Sequence, residues 1–378
     1  MHILFMADHF GHSDGRVHGG TTYFLNTLPA LVRAGVKVTA CFMAPEHSAA
    51  DGLESKGVHP IFFNRAKHDP RICADVWSVA SKNRFDVMHL HSLKSHLLGR
   101  VAASLQGAAS VVHLHDAIGL PSPVRFLQKR LAHRTAAGVA VSDTIARFAV
   151  EEYGLDPQRV HVLDNGMDLE PFARAQPEAR DAVRRELGLE PQAPLVAVVG
   201  RLVPEKGQAE LIAAFERVLR RIPGARLLVV GEGPNRAACE TAARESLVEQ
   251  AVIFTGQRRD IPRVLAAVDV VAVPSMWEEP FGYTALEAIA AGRAVVAHDG
   301  GALPRIVRDG QTGRIVKAGD GEALGQALVE LLSNEPLRLS LGEQARRHAQ
   351  NFTIDRHVQG LIEIYESAMG RAPRLAAA

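Results

Sequence analysis

Residues 275–292 read SMWEEPFGYTALEAIAAG, placing Glu279 before a Pro-Phe-Gly turn and Glu287 inside the helix-like run that follows. The strand-like run DVVAVPS delivers the chain to this turn, so the helix opens with backbone N–H groups that have no partner within it. Such an opening attracts an anion through its free donors and its dipole. Carboxylates beside an anion site repel the ligand unless they meet hydroxyl groups, so Glu279 and Glu287 read as acceptors for sugar or ribose O–H donors. The plainer alternative, a charge at a helix start and a solvated glutamate, leaves the Pro280-Phe281-Gly282 turn without a purpose.

Cations for the same anion stand in GRLVPEKGQAELIAAFERV, residues 200–218, where Arg201 and Lys206 flank a turn containing Pro204. A guanidinium grips two phosphate oxygens at once, and an ammonium adds a mobile point charge. A solvated basic turn is the competing reading, but the turn follows a strand-like run, where α/β proteins bind their ligands. In the first loop Gly19 and Gly20 precede Thr21 and Thr22, which lets a backbone approach phosphate closely; Gly-Gly is also an ordinary turn. Gly11-His12-Ser13-Asp14-Gly15 matches G-x-S-x-G in form only, because no helix can begin there until about residue 21, and a serine nucleophile is not expected.

Of the 17 histidines, 14 precede residue 185. His89 and His91, and likewise His113 and His115, sit two apart on strand-like runs, so each pair shares a face. Imidazoles ligate metals, yet Asp86 and Asp116 bracket strand ends rather than complete a ligand set, so no metal is expected. His115-Asp116 at a strand's carboxyl end reads as polar lining of a cleft. Residues 123–136, PVRFLQKRLAHRTA, form a basic amphipathic helix with Phe126, Leu127 and Leu131 in one stripe among Arg125, Lys129, Arg130 and Arg134. Packing on a sheet is the ordinary outcome for such a helix, and weak peripheral contact with a membrane surface the alternative.

The elements that must hold these groups follow from the rest of the chain. Runs such as HILFMA, KVTACFMA, DVMHLH, SVVHLH, PLVAVVG, ARLLVVG and AVVAHD are apolar throughout rather than alternating, and helical-period segments separate them. Strands covered on both faces have this look, so the fold class is α/β with parallel sheets. A length of 378 residues suits two domains. The strand pattern lapses over residues 171–194 and resumes at Leu195, which sets the expected organisation: residues 1–184, residues 185–350, an amphipathic helix over 351–370 and a frayed tail over 371–378. The cleft between two such domains, at the carboxyl ends of their strands, is the expected ligand site. A net charge of +1 offers no field for nucleic acid. Cys41, Cys73 and Cys239 lie far apart, which argues against a zinc site or disulfide framework and for a reducing, cytoplasmic setting. The N-terminus reads as a first buried strand, not a leader or membrane span.

Together these motifs resemble the retaining glycosyltransferases of family 4, with their GT-B architecture of two facing Rossmann-like domains. The likeness runs over nearly the whole chain. Its most specific element is E-x-F-G-x-x-x-x-E, met by Glu279 through Glu287; GRLVPEKG, DNGMD, VVGEGP and Gly19-Gly20 support it. The resemblance implies that Arg201 and Lys206 hold the diphosphate of a nucleotide-sugar donor and Glu287 its ribose hydroxyls. It implies that Glu279, with the backbone at Phe281 and Gly282, orients the sugar, that Gly20 approaches the phosphates and that His115 lines the sugar site. Main-chain atoms near Gln257 and Arg258 would meet the base. In GGALPRIV the family's acid after proline is Arg305, which leaves a donor contact there in doubt. The sequence has no Asp-x-Asp of the kind that holds a divalent metal in transferases of the other common architecture, so fixed cations must stabilise the leaving diphosphate. The implied reaction is transfer with retention to a glycan, lipid-linked or small-molecule acceptor, without metal or cofactor. An epimerase or phosphorylase on the same architecture, or a non-catalytic nucleotide-sugar-binding protein, are the alternatives.

Overall fold

The structure, a computed structural model, describes residues 1–11, 19–174 and 177–371. Within them each apolar run becomes one strand. Seven form the first sheet: β1 His2–Ala7, β2 Lys37–Phe42, β3 Pro60–Phe62, β4 Val87–Leu90, β5 Ala109–Leu114, β6 Ala137–Ala140 and β7 Val160–Val162, in the order β3-β2-β1-β4-β5-β6-β7. Six form the second: β8 Leu195–Val199, β9 Arg226–Val230, β10 Val252–Gly256, β11 Val270–Val273, β12 Ala294–His298 and β13 Gly313–Val316, in the order β10-β9-β8-β11-β12-β13. Neighbouring strands pair in parallel in both sheets, and helices cover them, so the α/β doubly wound expectation holds. In each sheet the order reverses beside the first strand, between β1 and β4 and between β8 and β11. Loops leaving the carboxyl ends of those strands splay apart, and that is where such sheets bind ligands.

The chain divides into two compact units, Met1–Met167 with the segment from Phe352 onward, and Asp168–Asn351. The boundary therefore falls at 167/168, not near 185, and the last helix, whose apolar positions suggest docking without saying where, belongs to the first unit. The helix Pro177–Glu186 explains the shift. Its Arg184 is 1% exposed and donates to the carbonyls of Ala267, Pro191 and Ala193 at 2.8–2.9 Å and to Asp269 Oδ2 at 3.0 Å. Arg180 takes the other Asp269 oxygen at 3.0 Å. A segment that reads in sequence as a charged linker is thus bonded to the entry of β11 by a buried guanidinium whose donors are largely met.

The helix Ile354–Arg371 returns to the first sheet, burying Ile354, Val358, Leu361, Ile364 and Tyr365 against Ile3, Val87, Val111 and Val139. Its entry explains the DNGMD stretch. A Cβ on Gly166 would lie 2.5 Å from the Thr353 carbonyl oxygen and 2.8 Å from Ile354 Cα, so only glycine lets the two passing chains touch, and Met167 bridges to Thr353.

The basic helix forms over Ser122–Arg130, but its expected apolar stripe is not its buried face. Phe126 and Leu127 are 67% and 45% exposed, whereas Gln128 is fully buried. The reason lies beneath it: Arg100, fully buried, donates to the His96 carbonyl at 2.7 Å, to the Gln128 carbonyl at 3.3 Å and to the Gln128 side chain. A buried cation must have acceptors, and the helix turns its one amide inward to supply them. Among the described residues no helix is long and apolar enough to cross a membrane.

Candidate functional site

In the second unit the loops after β8 and β11 meet at the switch point. Pro204–Lys206 forms a single 3-10 turn, closed by Gly207 at φ 65°. A Cβ on Gly207 would stand 1.9 Å from the Pro274 carbonyl oxygen, so the turn can lie flat on the β11 loop only with glycine there. Met276 N–H donates to the Glu205 carbonyl at 2.8 Å and fastens the two loops together.

That fastening places Lys206 beside Glu279. The ammonium pairs with Glu279 Oε1, the Ser275 hydroxyl donates to the same oxygen at 2.5 Å, and the carboxylate is 5% exposed. Among the described residues Oε2 accepts no hydrogen bond, so the carboxylate is aimed by one oxygen and left available by the other. Lys206 Nζ also lies 5.5 Å from the Trp277 ring centroid, within reach of a cation–π attraction. The third loop, after β12, completes the frame: Gly301 N–H donates to Glu278 Oε2 at 2.7 Å and Ala302 N–H to the Glu279 carbonyl at 2.8 Å. Buried His298 lies 3.3 Å from the Ser275 carbonyl through Nδ1. Arg201 is exposed beyond β8, with no partner for its guanidinium among the described residues; its carbonyl accepts from the Gln208 amide at 3.0 Å.

Phe281 is buried, and Gly282 at φ 97° precedes the helix Tyr283–Ala290 that carries Glu287 in its second turn. Part of Glu287 reaches solvent, yet its carboxyl sits deep enough that desolvation pushes its pKa up to about 7. A carboxyl held above its unfolded value near 4.5 destabilises the fold progressively as pH rises from 4.5 to 7, and fully above that. Glu287→Gln is therefore expected to raise the melting temperature above pH 7, by a stabilisation of about 1–3 kcal/mol after allowance for partial exposure, and to change little near pH 4. Calorimetry across that range checks it; equal effects at both ends would refute it.

Gln257 is exposed after β10, while Arg258 is bound by Asp260 at 2.7 Å and Glu186 at 2.5 Å, bonds that raise its pKa and hold the adjacent backbone. Arg305 sits half-buried in the short helix Leu303–Ile306, where its carbonyl lies 2.9 Å from His348 Nε2.

The first unit carries a second constellation. Gly19 and Gly20 lie within the helix Gly19–Arg33 rather than before it. Residues 12–15 of the G-x-S-x-G match and the tail from 372 lie outside the described residues. Behind that helix the four strand histidines form one stacked network. His89 Nε2 is 3.1 Å from His113 Nδ1, and His91 Nδ1 is 2.8 Å from His115 Nε2. Tyr23, His357 and Tyr365 extend it, with contacts of 3.3 Å from Tyr23 to His113, 3.1 Å from His357 to Tyr23 and 2.6 Å from Tyr365 to His89. Burial, reinforced by neighbouring histidines, pushes His89, His91 and His113 well below the ordinary imidazole range; burial takes His357 down to about 4. His89, His91 and His113 bring ring nitrogens within 4.8 Å of one another, the outline of a trihistidine ligand set. Two of those rings already bond each other, and a divalent charge enclosed by neutral ligands alone is costly, so the arrangement suits a neutral hydrogen-bonded network better. His115 is its half-buried outer member.

Sequence reasoning named Arg201, Lys206, Glu279 and Glu287, and the structure brings Lys206 and Glu279 into contact. It missed Ser275, Trp277 and His298 around Glu279, and Tyr23, His357 and Tyr365 around the histidines. Ser275 and Trp277 flank a named acid and were open to notice; His357 and Tyr365 come from the far end of the chain and carry no local signal.

Residues 179–348 match the family described as Glycosyl transferases group 1, and residues 17–171 match Glycosyltransferase Family 4. A D-inositol 3-phosphate glycosyltransferase of Nocardia farcinica is 32% identical, the alignment covering 94% of this chain and 86% of that protein. One from Corynebacterium aurimucosum is 29% identical over 94% and 92% of the two chains. In structure, a glycosyltransferase from Rickettsia africae matches with TM-score 0.85 at 19% identity, over 97% of this chain and 98% of that one. Anabaena HepE, solved with UDP and glucose, matches with TM-score 0.82 at 23% identity, over 97% and 100%. Sequence and fold agree over both units, and the chain belongs to glycosyltransferase family 4.

Proposed function

We propose that the protein transfers a sugar from a nucleoside diphosphate sugar to an acceptor hydroxyl with retention of configuration and without a metal ion. The observation that carries this reading is the switch point of the second sheet, where the loop after β8 carries exposed Arg201, its guanidinium without a partner among the described residues, and Lys206, which joins the Glu279–Ser275 group. Transfer breaks the bond from the anomeric carbon to the phosphate oxygen and forms one to the acceptor oxygen, whose proton leaves on the departing phosphate. Negative charge grows on that phosphate, and Arg201, Lys206 and the start of the helix Tyr283–Ala290 supply the opposing field. Glu279 Oε2 takes a sugar hydroxyl, Glu287 the ribose hydroxyls, and the backbone at Phe281 and Gly282 orients the donor. Gln257 and Arg258 present main chain to the base. Within the first unit, Gly19 and Gly20 offer backbone to a phosphate and His115 offers a ring nitrogen to a sugar hydroxyl. The names of the relatives favour an inositol phosphate, or a similar phosphorylated polyol, as acceptor.

Calorimetric titration with uridine, guanosine and adenosine diphosphates, followed by assay of the matching sugars with inositol 3-phosphate, tests this reading. Arg201→Ala is expected to weaken diphosphate binding about 10- to 100-fold, the worth of a charge-assisted pair. Undiminished binding would remove Arg201 from the site. Chelator should leave the rate unchanged, and a loss restored by magnesium or manganese would contradict the metal-free mechanism. Turnover of donor sugar into its epimer without acceptor would favour an epimerase instead.

A further inference from the structure

His91 and His115 face each other across 2.8 Å, Nδ1 to Nε2, with rings inclined by 17°. One nitrogen of that pair carries the proton and the other the lone pair. The choice is decided on the far side of His91. Its ring stacks on Phe5 at 4.0 Å, and its Nε2 is buried with no partner among the described residues. A proton there would be an orphaned buried N–H, which is rarer and costlier than a bare acceptor. His91 therefore keeps its proton on Nδ1 and donates to His115 Nε2.

The neighbouring row has the same polarity, fixed from its other end. The Asp164 carbonyl can only accept, so His357 donates to it from Nδ1 at 2.8 Å and receives the Tyr23 hydroxyl proton on Nε2. His113 Nε2, like that of His91, is buried with no partner among the described residues, so the His113 proton sits on Nδ1, shared between Tyr23 and His89 Nε2. His89 is then left to donate from Nδ1 to Tyr365. Each ring in both rows bears its proton on Nδ1, and the bonds described among these rings and hydroxyls do not oppose one another.

We propose that His91 is a positioning residue that holds neutral His115 as the Nδ1–H tautomer, so that His115 serves the reaction as a hydrogen-bond donor to a substrate oxygen and not as a proton acceptor. The substrate half of this inference rests on the placement of His115 at the sugar; the tautomer does not.

Histidine-selective 15N labelling, with His115 assigned by the signals lost in His115→Gln, reads the tautomer with no substrate present. A protonated Nδ1 and a bare Nε2 on His115 are expected in the unaltered protein at neutral pH; a protonated Nε2 overturns the proposal whether or not any variant folds. His91→Phe removes the donor, and its His115 should sample both tautomers while kcat/KM falls about tenfold, the worth of one hydrogen bond. His91→Asn, whose amide N–H can occupy the place of Nδ1, should restore most of that loss, and an equal loss in both variants counts against tautomer control. Unchanged transfer by His115→Ala, with the tautomer as expected, would sink the substrate half and the placement of His115 beneath it.

Discussion

Glu279→Gln is expected to lower the rate of sugar transfer by about 10²- to 10³-fold while nucleotide affinity stays within a few-fold of the unaltered protein. The carboxylate is nearly buried, its Oε1 fixed by Ser275 and Lys206 and its Oε2, with no partner among the described residues, available to a hydroxyl. Glutamine keeps the shape but removes the charge that aligns Lys206 and the full acceptor strength offered to the sugar. Misplacing a reacting group by about 1 Å already costs on the order of a hundredfold, so the loss belongs to the chemical step rather than to binding. The fold should survive, because Lys206 is partly exposed and stays hydrated without its partner. Steady-state kinetics with the donor identified by titration, set against equilibrium binding of the nucleotide, separates the two. Turnover within threefold of the unaltered enzyme would falsify the assignment of Glu279.

Acid should unfold the first unit well before the second. Its buried histidines are neutral when folded: His89, His91 and His113 lie well below the ordinary imidazole value of 6.5, His96 near 3 and His357 near 4. In the unfolded chain each binds a proton once the pH drops below 6.5, so the unfolded state holds more protons there and stability rises with pH. The contribution is fully present above 6.5 and is lost as pH falls through that value toward 4 for His357 and 3 for His96. His357 alone accounts for roughly 3 kcal/mol by about pH 4. At about pH 5 His96 and His357 together forfeit on the order of 4 kcal/mol, a large share of an ordinary domain's stability, and His89, His91 and His113 add to the loss in the same direction. Hydrogen exchange read by mass spectrometry at about pH 7.5, 6 and 5 distinguishes the units. Protection should vanish first around β4, β5 and the helix Ile354–Arg371, and His357→Phe should flatten the slope. Parallel loss in both units would show that the histidines do not control it.

The periodicity of the sequence determined which segments are strands, because continuous Val, Ile and Leu runs have no stable place except between two covering layers. It also determined which residues could do chemistry: the spacing from Glu279 to Glu287 and from Arg201 to Lys206 is local, and a turn or a helix start is enough to interpret it. Tertiary structure alone decided where one unit ends. Arg184 finds Asp269 and the Ala267 carbonyl far along the chain, and no window of sequence holds both halves of that bond. The same holds for Gln128, turned inward by buried Arg100 at the expense of Phe126 and Leu127. The histidines show the division most plainly. Their two-residue spacing told that each pair shares a face, but whether that face meets water, a metal or other rings depended on a helix from the opposite end of the chain bringing His357 and Tyr365 against them. Spacing along a backbone fixes direction, and only contact between distant segments fixes environment, which sets protonation and therefore chemistry.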